Sequence, residues 1–320
     1  RGELFMPVTQ FYPETTFGGD FKTEATYRDP EVQCLIRSGG LEICFEDPEI
    51  TMDAISSDDL SVEIEDFYEG WMIWPLVPYS YDTPNDLGRS APSPPDGQHW
   101  LGTDDTTRDV LARVIYGFRL SILFALIVTV FASIIGVIAG AIQGYFGGWL
   151  DLVFQRFLEV FSALPSLYVI IILTAILGRS FWLLVTLSII FGWPALTGLI
   201  RAEFFRARNF EYVRAAQALG VSNWTIMMRH ILPNAMVATL TFLPFIVTGA
   251  ISTLAGLDFL GFGLPSSSPS LGELSQQAKL NLQSPHLGFT AFFVFTIMLS
   301  LLVFIFEGVR DAFDPRKVFS

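Results

Sequence analysis

Long apolar stretches without charge alternate with short polar connections over the last two thirds of the chain. A helix needs about 20 apolar residues to cross the hydrocarbon core of a bilayer. The predicted spans are residues 120–142, 150–178, 180–200, 231–257 and 287–306. This pattern predicts an all-α polytopic membrane domain over residues 101–320, with a charged connection at 201–230 that lies outside the membrane.

Three of these spans contain a proline, namely Pro165, Pro194 and Pro244. Proline lacks the N–H that an α-helix needs, so each should break or kink its span. Breaks at membrane depth are tolerated where they are buried in protein or line a cavity. We therefore take these prolines as candidates for gating bends, with ordinary kinks as the alternative.

The first span carries small residues at every fourth position: Ala132, Gly136, Gly140 and Gly144. Such a ladder lets two helix backbones approach closely. Its partner could be another helix of this chain or a helix of a second subunit, and the sequence leaves both open.

The N-terminal region differs in composition from the rest. Residues 1–100 carry 5 Lys/Arg and 20 Asp/Glu, a net charge of −15. Residues 101–320 carry 14 Lys/Arg and 12 Asp/Glu, a net charge of +2, so the whole chain has a net charge of −13. This acidity excludes nucleic acid as a partner, because the two would repel. Short β-type runs such as "WMIWPLV" and the linker "SAPSPPDG" predict a small α+β or β-rich, loop-rich domain over residues 1–100.

Cys34 and Cys44 are the only cysteines and flank the turn-like "RSGG". Across a hairpin on an oxidising side of the membrane they would form a disulfide. Two buried thiols are the alternative.

Orientation follows from the positive charges between the spans. One side holds nine: Arg156, Arg201, Arg206, Arg208, Arg214, Arg229, Arg310, Arg316 and Lys317. The other connections hold Arg179 and Lys279, although Arg108, Arg113 and Arg119 count against the assignment. The C-terminus should therefore be cytoplasmic and residues 1–118 outside. An outer N-terminal domain also predicts a sixth span upstream of Arg1.

The connection at 201–230 contains the stretch "EYVRAAQALGVSNWTIMMRHILPN". Tyr212, Val213, Ala216 and Leu219 should share one apolar helix face. Gly220 is a helix stop and Ser222 a cap for a second short helix. This amphipathic segment either rests on lipid, which such patterns usually do, or docks on a partner protein.

This stretch resembles the EAA loop of ATP-binding cassette (ABC) importer permeases. Ala215, Ala216, Gly220, Leu232 and Pro233 match the pattern in register, whereas Arg214 stands in place of its glutamate and His230 in place of its isoleucine. The resemblance implies that Glu211, Arg214, Ala215, Ala216, Leu219, Gly220, Ser222, Leu232 and Pro233 form a coupling segment that docks on an ATPase subunit.

The resemblance extends over residues 98–320. The second permease of dipeptide, oligopeptide and nickel importers is similar to this chain in the stretches "HWLGTDDTTRDVLARVIYGFRLS", "LDFLGFGLPSSSPSLGELSQQA" and "VRDAFDPRK". Within that class, the YejE-type oligopeptide and microcin C subfamily is similar in the early "FGGDF" and in the EAA-type loop.

This resemblance implies a type I importer fold in a bacterial inner membrane and a periplasmic N-terminal domain. The implied partners are a homologous permease in a heterodimer, an ATPase that binds ATP and Mg, a periplasmic peptide-binding protein and membrane lipid. The binding protein would face Asp258, Gly261, Gly263, Pro265 and Glu273.

Other chemistry has no candidates in the sequence. There is no GxxxxGK[ST], HExxH or CxxC, and His99, His230 and His286 lie far apart. We expect no catalytic residue, metal site or cofactor in this chain. The alternatives to a peptide permease are a dipeptide or nickel permease, a non-ATP channel or structural subunit, and a membrane enzyme.

Overall fold

The computed structural model describes residues 4–7, 10, 12–20, 22, 24–57, 70–74, 77, 79–84 and 90–313. Arg316 and Lys317 lie outside these residues, as do Pro75 and Leu76 of the run "WMIWPLV". The chain divides into two units at residues 86 and 87. The division lies earlier than the predicted boundary at 100, because residues 90–100 fold with the second unit.

Short helices are the main regular structure of the described first unit. Its elements are β1 (Leu4–Phe5), a 3-10 helix (Glu14–Phe17), α1 (Pro30–Ser38), a 3-10 helix (Glu42–Phe45), α2 (Pro48–Ser57) and β2 (Trp71–Met72), with the two strands paired in parallel. Asp29 caps α1 by accepting from the Glu31 N–H, and Gly39 ends it with φ +71°. The β-rich alternative is therefore wrong for these residues, because local capping signals outweigh the β-type composition.

A disulfide joins Cys34 to Cys44, whose Cα atoms are 5.6 Å apart. Cys34 lies in α1 and Cys44 in the second 3-10 helix, so the predicted hairpin is wrong. Both cysteines are fully buried beside Phe17, Tyr27 and Ile36. A unit with so small a core gains stability from a cross-link that restricts its unfolded chain.

The second unit contains the candidate membrane helices and the short helices of their connections. They are α3 (Val110–Phe146), α4 (Gly148–Ser162), α5 (Ser166–Leu177), α6 (Phe181–Gly192), α7 (Pro194–Ala207), α8 (Glu211–Ala218), α9 (Asn223–Thr225), a π-helical turn (Ile226–Ile231), α10 (Leu232–Phe259), α11 (Leu271–Leu280) and α12 (Pro285–Phe313). Among the described residues, 110–146, 181–207, 223–259 and 285–312 are long and apolar enough to cross a membrane. The pair α4 and α5, bent by 66°, is a fifth candidate span.

The first span extends well beyond its predicted limits. Asp109 starts α3 earlier than residue 120, because its Oδ1 accepts from the Ala112 N–H at 2.7 Å. With 37 residues, α3 is about 55 Å long at 1.5 Å per residue. Since a bilayer core is about 30 Å thick, α3 projects beyond the membrane and can contact loops at both ends.

The three prolines have different effects. Pro165 lies at the 66° bend between α4 and α5, and Pro194 is the first residue of α7. Pro244 lies inside the uninterrupted α10, so the expected break there is wrong. It is buried, a setting in which a helix tolerates the loss of one backbone hydrogen bond.

The small-residue ladder packs α3 against α7 of the same chain. The rungs pair Gly136 with Trp193 and Leu196, Gly140 with Thr197 and Ile200, and Gly144 with Arg201 and Phe204, while Ala132 is buried nearby. A Cβ added at Gly140 would lie 2.6 Å from the Thr197 carbonyl oxygen and 2.8 Å from the Ile200 Cβ. Of the two alternatives that the sequence left open, this face of α3 therefore meets a helix of its own chain.

We predict that Gly140→Ala lowers the free energy of unfolding by about 2 kcal/mol, because overpacking would push α3 and α7 apart. The matched control is Gly249→Ala in α10, where an added Cβ meets nothing within 4 Å. The control should be neutral or stabilising, since alanine favours helix over glycine. Thermal unfolding of the purified chain in detergent measures both. Equal midpoints for the two variants would contradict the packing described.

Candidate functional site

The predicted coupling segment folds into a helix whose inner face rests on its own chain. Val213 and Ala216 of α8 are buried in one apolar cluster with Ile200, Phe204 and Ile226. This cluster covers the adjoining ends of α3 and α7, so the segment has a fixed seat.

Two residues of the predicted apolar face lie elsewhere. Tyr212 is 42% exposed and Leu219 83% exposed. The helix contains only eight residues, so Leu219 lies past its last turn, and Tyr212 packs instead beside the exposed Phe210 ring at 5.9 Å. Of the four residues predicted to share an apolar face, only Val213 and Ala216 are therefore covered by this chain.

Gly220 is the turning point between the two arms of the segment. It has φ +75°, a left-handed conformation that glycine adopts without cost. Its N–H donates to the Gln217 carbonyl at 3.0 Å, and the Val221 N–H donates to the Ala216 carbonyl at 3.1 Å. The predicted helix stop at Gly220 is present.

The second arm starts at its predicted cap but does not end as a short helix. Ser222 accepts from the Thr225 N–H at 3.3 Å, and the helix then continues from Asn223 to Phe259. The π-helical turn lets the Leu232 N–H reach the Met227 carbonyl just before Pro233, which has no N–H to donate. A movement of the second arm is therefore a movement of the membrane helix α10.

The outer side of the coupling segment mixes charge with large apolar groups. Glu211, Arg214 and Ala215 are exposed, and Leu219 and Trp224 are 83% and 68% exposed. This surface is free for a ligand or partner.

A tyrosine at the end of α3 contacts both arms. The Tyr145 hydroxyl donates to Asn223 Oδ1 at 2.8 Å and accepts from Gln217 Nε2 at 3.3 Å. Its backbone carbonyl accepts from Arg208 Nη1 at 3.3 Å, which satisfies one terminal group of the helix. Sequence reasoning missed Tyr145, because nothing in its local pattern distinguishes it from other apolar positions of the span.

At its other end, α10 leads into the predicted outer loop. Asp258 is buried, and its carboxylate accepts from the Leu264 N–H at 2.6 Å and from the Ser270 hydroxyl at 2.5 Å. A side chain at Gly263 would clash with this carboxylate. The Ser270 hydroxyl also caps α11 by accepting from the Glu273 N–H at 3.2 Å. Asp258 thus folds the loop onto the end of α10.

The rest of the loop is exposed or tightly turned. Gly261 has φ +79°, and the Pro265 carbonyl accepts from the Ser268 N–H at 2.9 Å. With 28 residues, α10 separates the outer loop from the coupling segment by about 42 Å. The structure therefore places the predicted site residues in two groups at opposite ends of one helix.

A buried charge cluster fixes the N-terminal end of α3 to this loop. Arg108 Nε lies 2.8 Å from Asp104 Oδ2, and Arg113 Nη2 lies 2.7 Å from Glu273 Oε2. Arg108 also donates to the Ser266 carbonyl at 3.2 Å. The cluster balances two positive and two negative charges, as buried ions require.

This cluster bears on the orientation argument. Arg108 and Arg113 counted against a cytoplasmic C-terminus, but their charges are paired within the protein. Only the exposed Arg119 of that group is free of this cluster. Because the positive-inside rule counts Lys and Arg whatever their acidic partners, these arginines still count against the predicted orientation.

Burial raises the pKa values of two acidic groups in and beside the cluster. Burial raises the pKa of the Glu273 carboxyl, while the guanidinium groups of Arg113 and then Arg108 oppose the shift. Burial also raises the pKa of Asp105, with the neighbouring Asp104 adding to the effect. The ionised form of Glu273 thus depends on its two arginines.

The described residues contain no group of three or more side chains suited to a metal ion. His99 is buried, and its Nδ1 lies 2.7 Å from Asp109 Oδ2, at the start of α3. His286 Nε2 lies 3.3 Å from the Thr103 carbonyl oxygen. These two histidines hold loop structure together near the N-terminal ends of α3 and α12.

Helices long enough to cross a membrane, joined by a seated helix–glycine–helix loop at one end and a folded loop at the other, define a polytopic membrane transport protein. Residues 132–318 match the family of binding-protein-dependent transport system inner membrane components, and the chain belongs to this family. It is the permease subunit of an ABC importer.

Individual relatives agree with the family. The chain is 50% identical to the peptidoglycan transport system permease protein YejE of Agrobacterium fabrum, over 100% of this chain and 82% of the relative. It is 48% identical to the inner membrane ABC transporter permease protein YejE of Escherichia coli, over 99% and 84%. It is 35% identical to the oligopeptide transport system permease protein OppC of Bacillus subtilis, over 74% and 78%.

The fold also has a solved counterpart. A chain of the MetNI methionine ABC transporter in an inward-facing conformation superposes with a TM-score of 0.52 at 14% identity, over 63% of this chain and 96% of that chain. This likeness supports the type I importer fold for the helical unit.

We predict that Asp104→Asn destabilises the chain by about 3 kcal/mol, because it leaves two buried guanidinium groups facing one carboxylate. Asp104 is fully buried. The matched control is Glu159→Gln, which removes a carboxylate from an ion pair with Arg156 whose side chains are 49% and 82% exposed. Exposed pairs contribute little. Thermal unfolding midpoints in detergent compare the two variants. An Asp104→Asn midpoint equal to that of the wild type would show that the cluster does not stabilise this end of the helical unit.

Proposed function

We propose that this chain is one of two homologous membrane subunits of an ATP-driven importer that carries peptides, of the oligopeptide or microcin C-like kind, across a bacterial inner membrane. The names of its relatives support this cargo, since they describe peptidoglycan and oligopeptide transport systems. ATP and Mg would be bound by a separate ATPase subunit, and a periplasmic binding protein would deliver the peptide.

The observation that carries the proposal is the way the coupling segment is seated. A helix that rests on lipid turns its apolar face to the membrane. Here Val213 and Ala216 are already covered by the protein, and the free side carries Glu211 and Arg214 beside the exposed Leu219. A mixed polar and apolar surface of this kind fits a protein partner better than a bilayer.

The proposed orientation follows from the same segment. If the coupling segment meets a cytoplasmic ATPase, the other end of α10 lies outside, with Asp258, Gly261, Gly263, Pro265 and Glu273 toward the binding protein. Residues 1–118 are then periplasmic and the C-terminus is cytoplasmic.

The mechanism we propose is a lever. Closure of the ATPase pair displaces the docked segment, and the unbroken helix from Asn223 to Phe259 carries the displacement through the membrane. Shifting a two-state equilibrium from 1:99 to 99:1 takes about 5.5 kcal/mol of differential interaction. A partner that changes shape can supply this energy, whereas lipid cannot.

We predict that Gly220→Pro abolishes ATP-dependent function. Proline cannot adopt φ +75° and would remove the N–H that bonds to Gln217. Gly220→Asn is the matched control, because asparagine tolerates this conformation and an added Cβ meets nothing within 4 Å. The tagged chain is purified from membranes in mild detergent, co-purified proteins are identified, and ATPase activity is assayed.

Recovery of a second permease and an ATPase with the wild-type and Gly220→Asn chains, and loss of the ATPase or its activity with Gly220→Pro, is the expected result. Recovery of the wild-type chain alone, or an unchanged active complex with Gly220→Pro, would refute docking through this segment.

A further inference from the structure

The two arms of the coupling segment are joined by a glycine with open space around it. Gly220 has φ +75°, and nothing lies within 4 Å of where its Cβ would be. Backbone bonds within the turn fix its local form, but they leave the angle between α8 and the second arm free to vary. Something outside the turn must hold that angle.

The Tyr145 hydroxyl is placed to do so. It donates to Asn223 Oδ1 in the second arm at 2.8 Å and accepts from Gln217 Nε2 in α8 at 3.3 Å. One oxygen atom thus bridges the two sides of the turn. Both arms also contribute to one apolar cluster, and breaking either bond would leave that packing alone to set the angle between them.

Tyr145 is itself firmly held. Its side chain is 7% exposed and lies in the apolar cluster under the coupling segment, with its ring edge-on to Phe146 at 5.2 Å. Arg208 Nη1 donates to its carbonyl. The glycine ladder packs α3 closely against α7. The Tyr145 hydroxyl therefore holds both arms in a fixed position relative to this helix pair.

We propose that Tyr145 is a positioning residue, which holds the two arms of the coupling segment at the angle that the ATPase subunit binds. The inference rests on the proposed function, because it presumes that this segment is the docking surface. A partner that finds the arms already in place loses less free energy to ordering them. Without the hydroxyl only a fraction of the molecules has the competent angle, and the apparent affinity falls by that fraction.

The test is a binding titration. The permease pair is held in lipid nanodiscs, and the purified ATPase subunit is titrated onto it. Tyr145→Phe keeps the ring and removes the hydroxyl, and it should raise the Kd about fivefold, the factor that corresponds to the ~1 kcal/mol of one hydrogen bond. Tyr168→Phe, on the exposed side of α5, controls for the tyrosine-to-phenylalanine change and should leave Kd unchanged.

Two further variants separate positioning from general stability. Asn223→Ala should raise Kd as much as Tyr145→Phe does, and the double variant should bind no more weakly than either single one, because either change alone already breaks the bridge between the arms. Asn223→Asp retains an acceptor for the hydroxyl and should bind like the wild type. Thermal unfolding midpoints should stay together across the set.

A Kd for Tyr145→Phe within twofold of wild type would overturn the inference, and so would additive losses in the double variant. In both cases the proposed function would stand, since the wild-type pair still binds the ATPase. Failure of the wild-type pair to bind the ATPase would overturn the proposed function and this inference together.

Discussion

The structure depends on the close approach of two helix backbones, α3 and α7. The three glycines of the ladder each meet a backbone carbonyl oxygen, that of Trp193 just before α7 or those of Thr197 and Arg201 within it. This contact places Arg201 of α7 where it forms a bidentate ion pair with Asp151 of α4, at 2.6 Å for both bonds. It also places Phe204 under the coupling segment. The seat for α8 therefore exists only because α3 lacks side chains along this stripe.

The same helix pair links the two ends of the molecule. Beyond the membrane on one side, α3 reaches the coupling segment through Tyr145. On the other side, Arg113 of α3 pairs with Glu273 of α11. The helix α10 runs between these two places, with the second arm at one end and Asp258 at the other. The segment proposed to meet the ATPase and the loop proposed to meet the binding protein are thus attached to one frame.

Local signals allowed much of the coupling segment to be predicted. Gly220 and Ser222 act on their nearest neighbours, so the helix stop and the following cap could be read from the chain. The apolar spans were evident for the same reason, since each residue contributes to hydropathy independently of its partners. The absence of a break at Pro244 could not be predicted, because this proline is buried inside α10 and hydropathy does not reveal burial.

Contacts between distant residues could not be predicted in this way. The pair of Arg113 and Glu273 joins residues 160 positions apart, and the bond between Tyr145 and Asn223 joins residues 78 positions apart. Neither leaves a periodic trace in the sequence. The sequence also did not reveal which part of the apolar face is covered by this chain, because Leu219 lies just past the end of the eight-residue helix.

The central claim is that the free side of the coupling segment contacts the ATPase subunit. The most direct measurement places a photo-crosslinking phenylalanine derivative at Leu219, which is 83% exposed, and separately at Val213, which is fully buried, and illuminates intact cells. We expect that Leu219 becomes cross-linked to an ATPase subunit and that Val213 does not. Cross-links from Leu219 to lipid alone, or equal labelling of the ATPase from both positions, would contradict it.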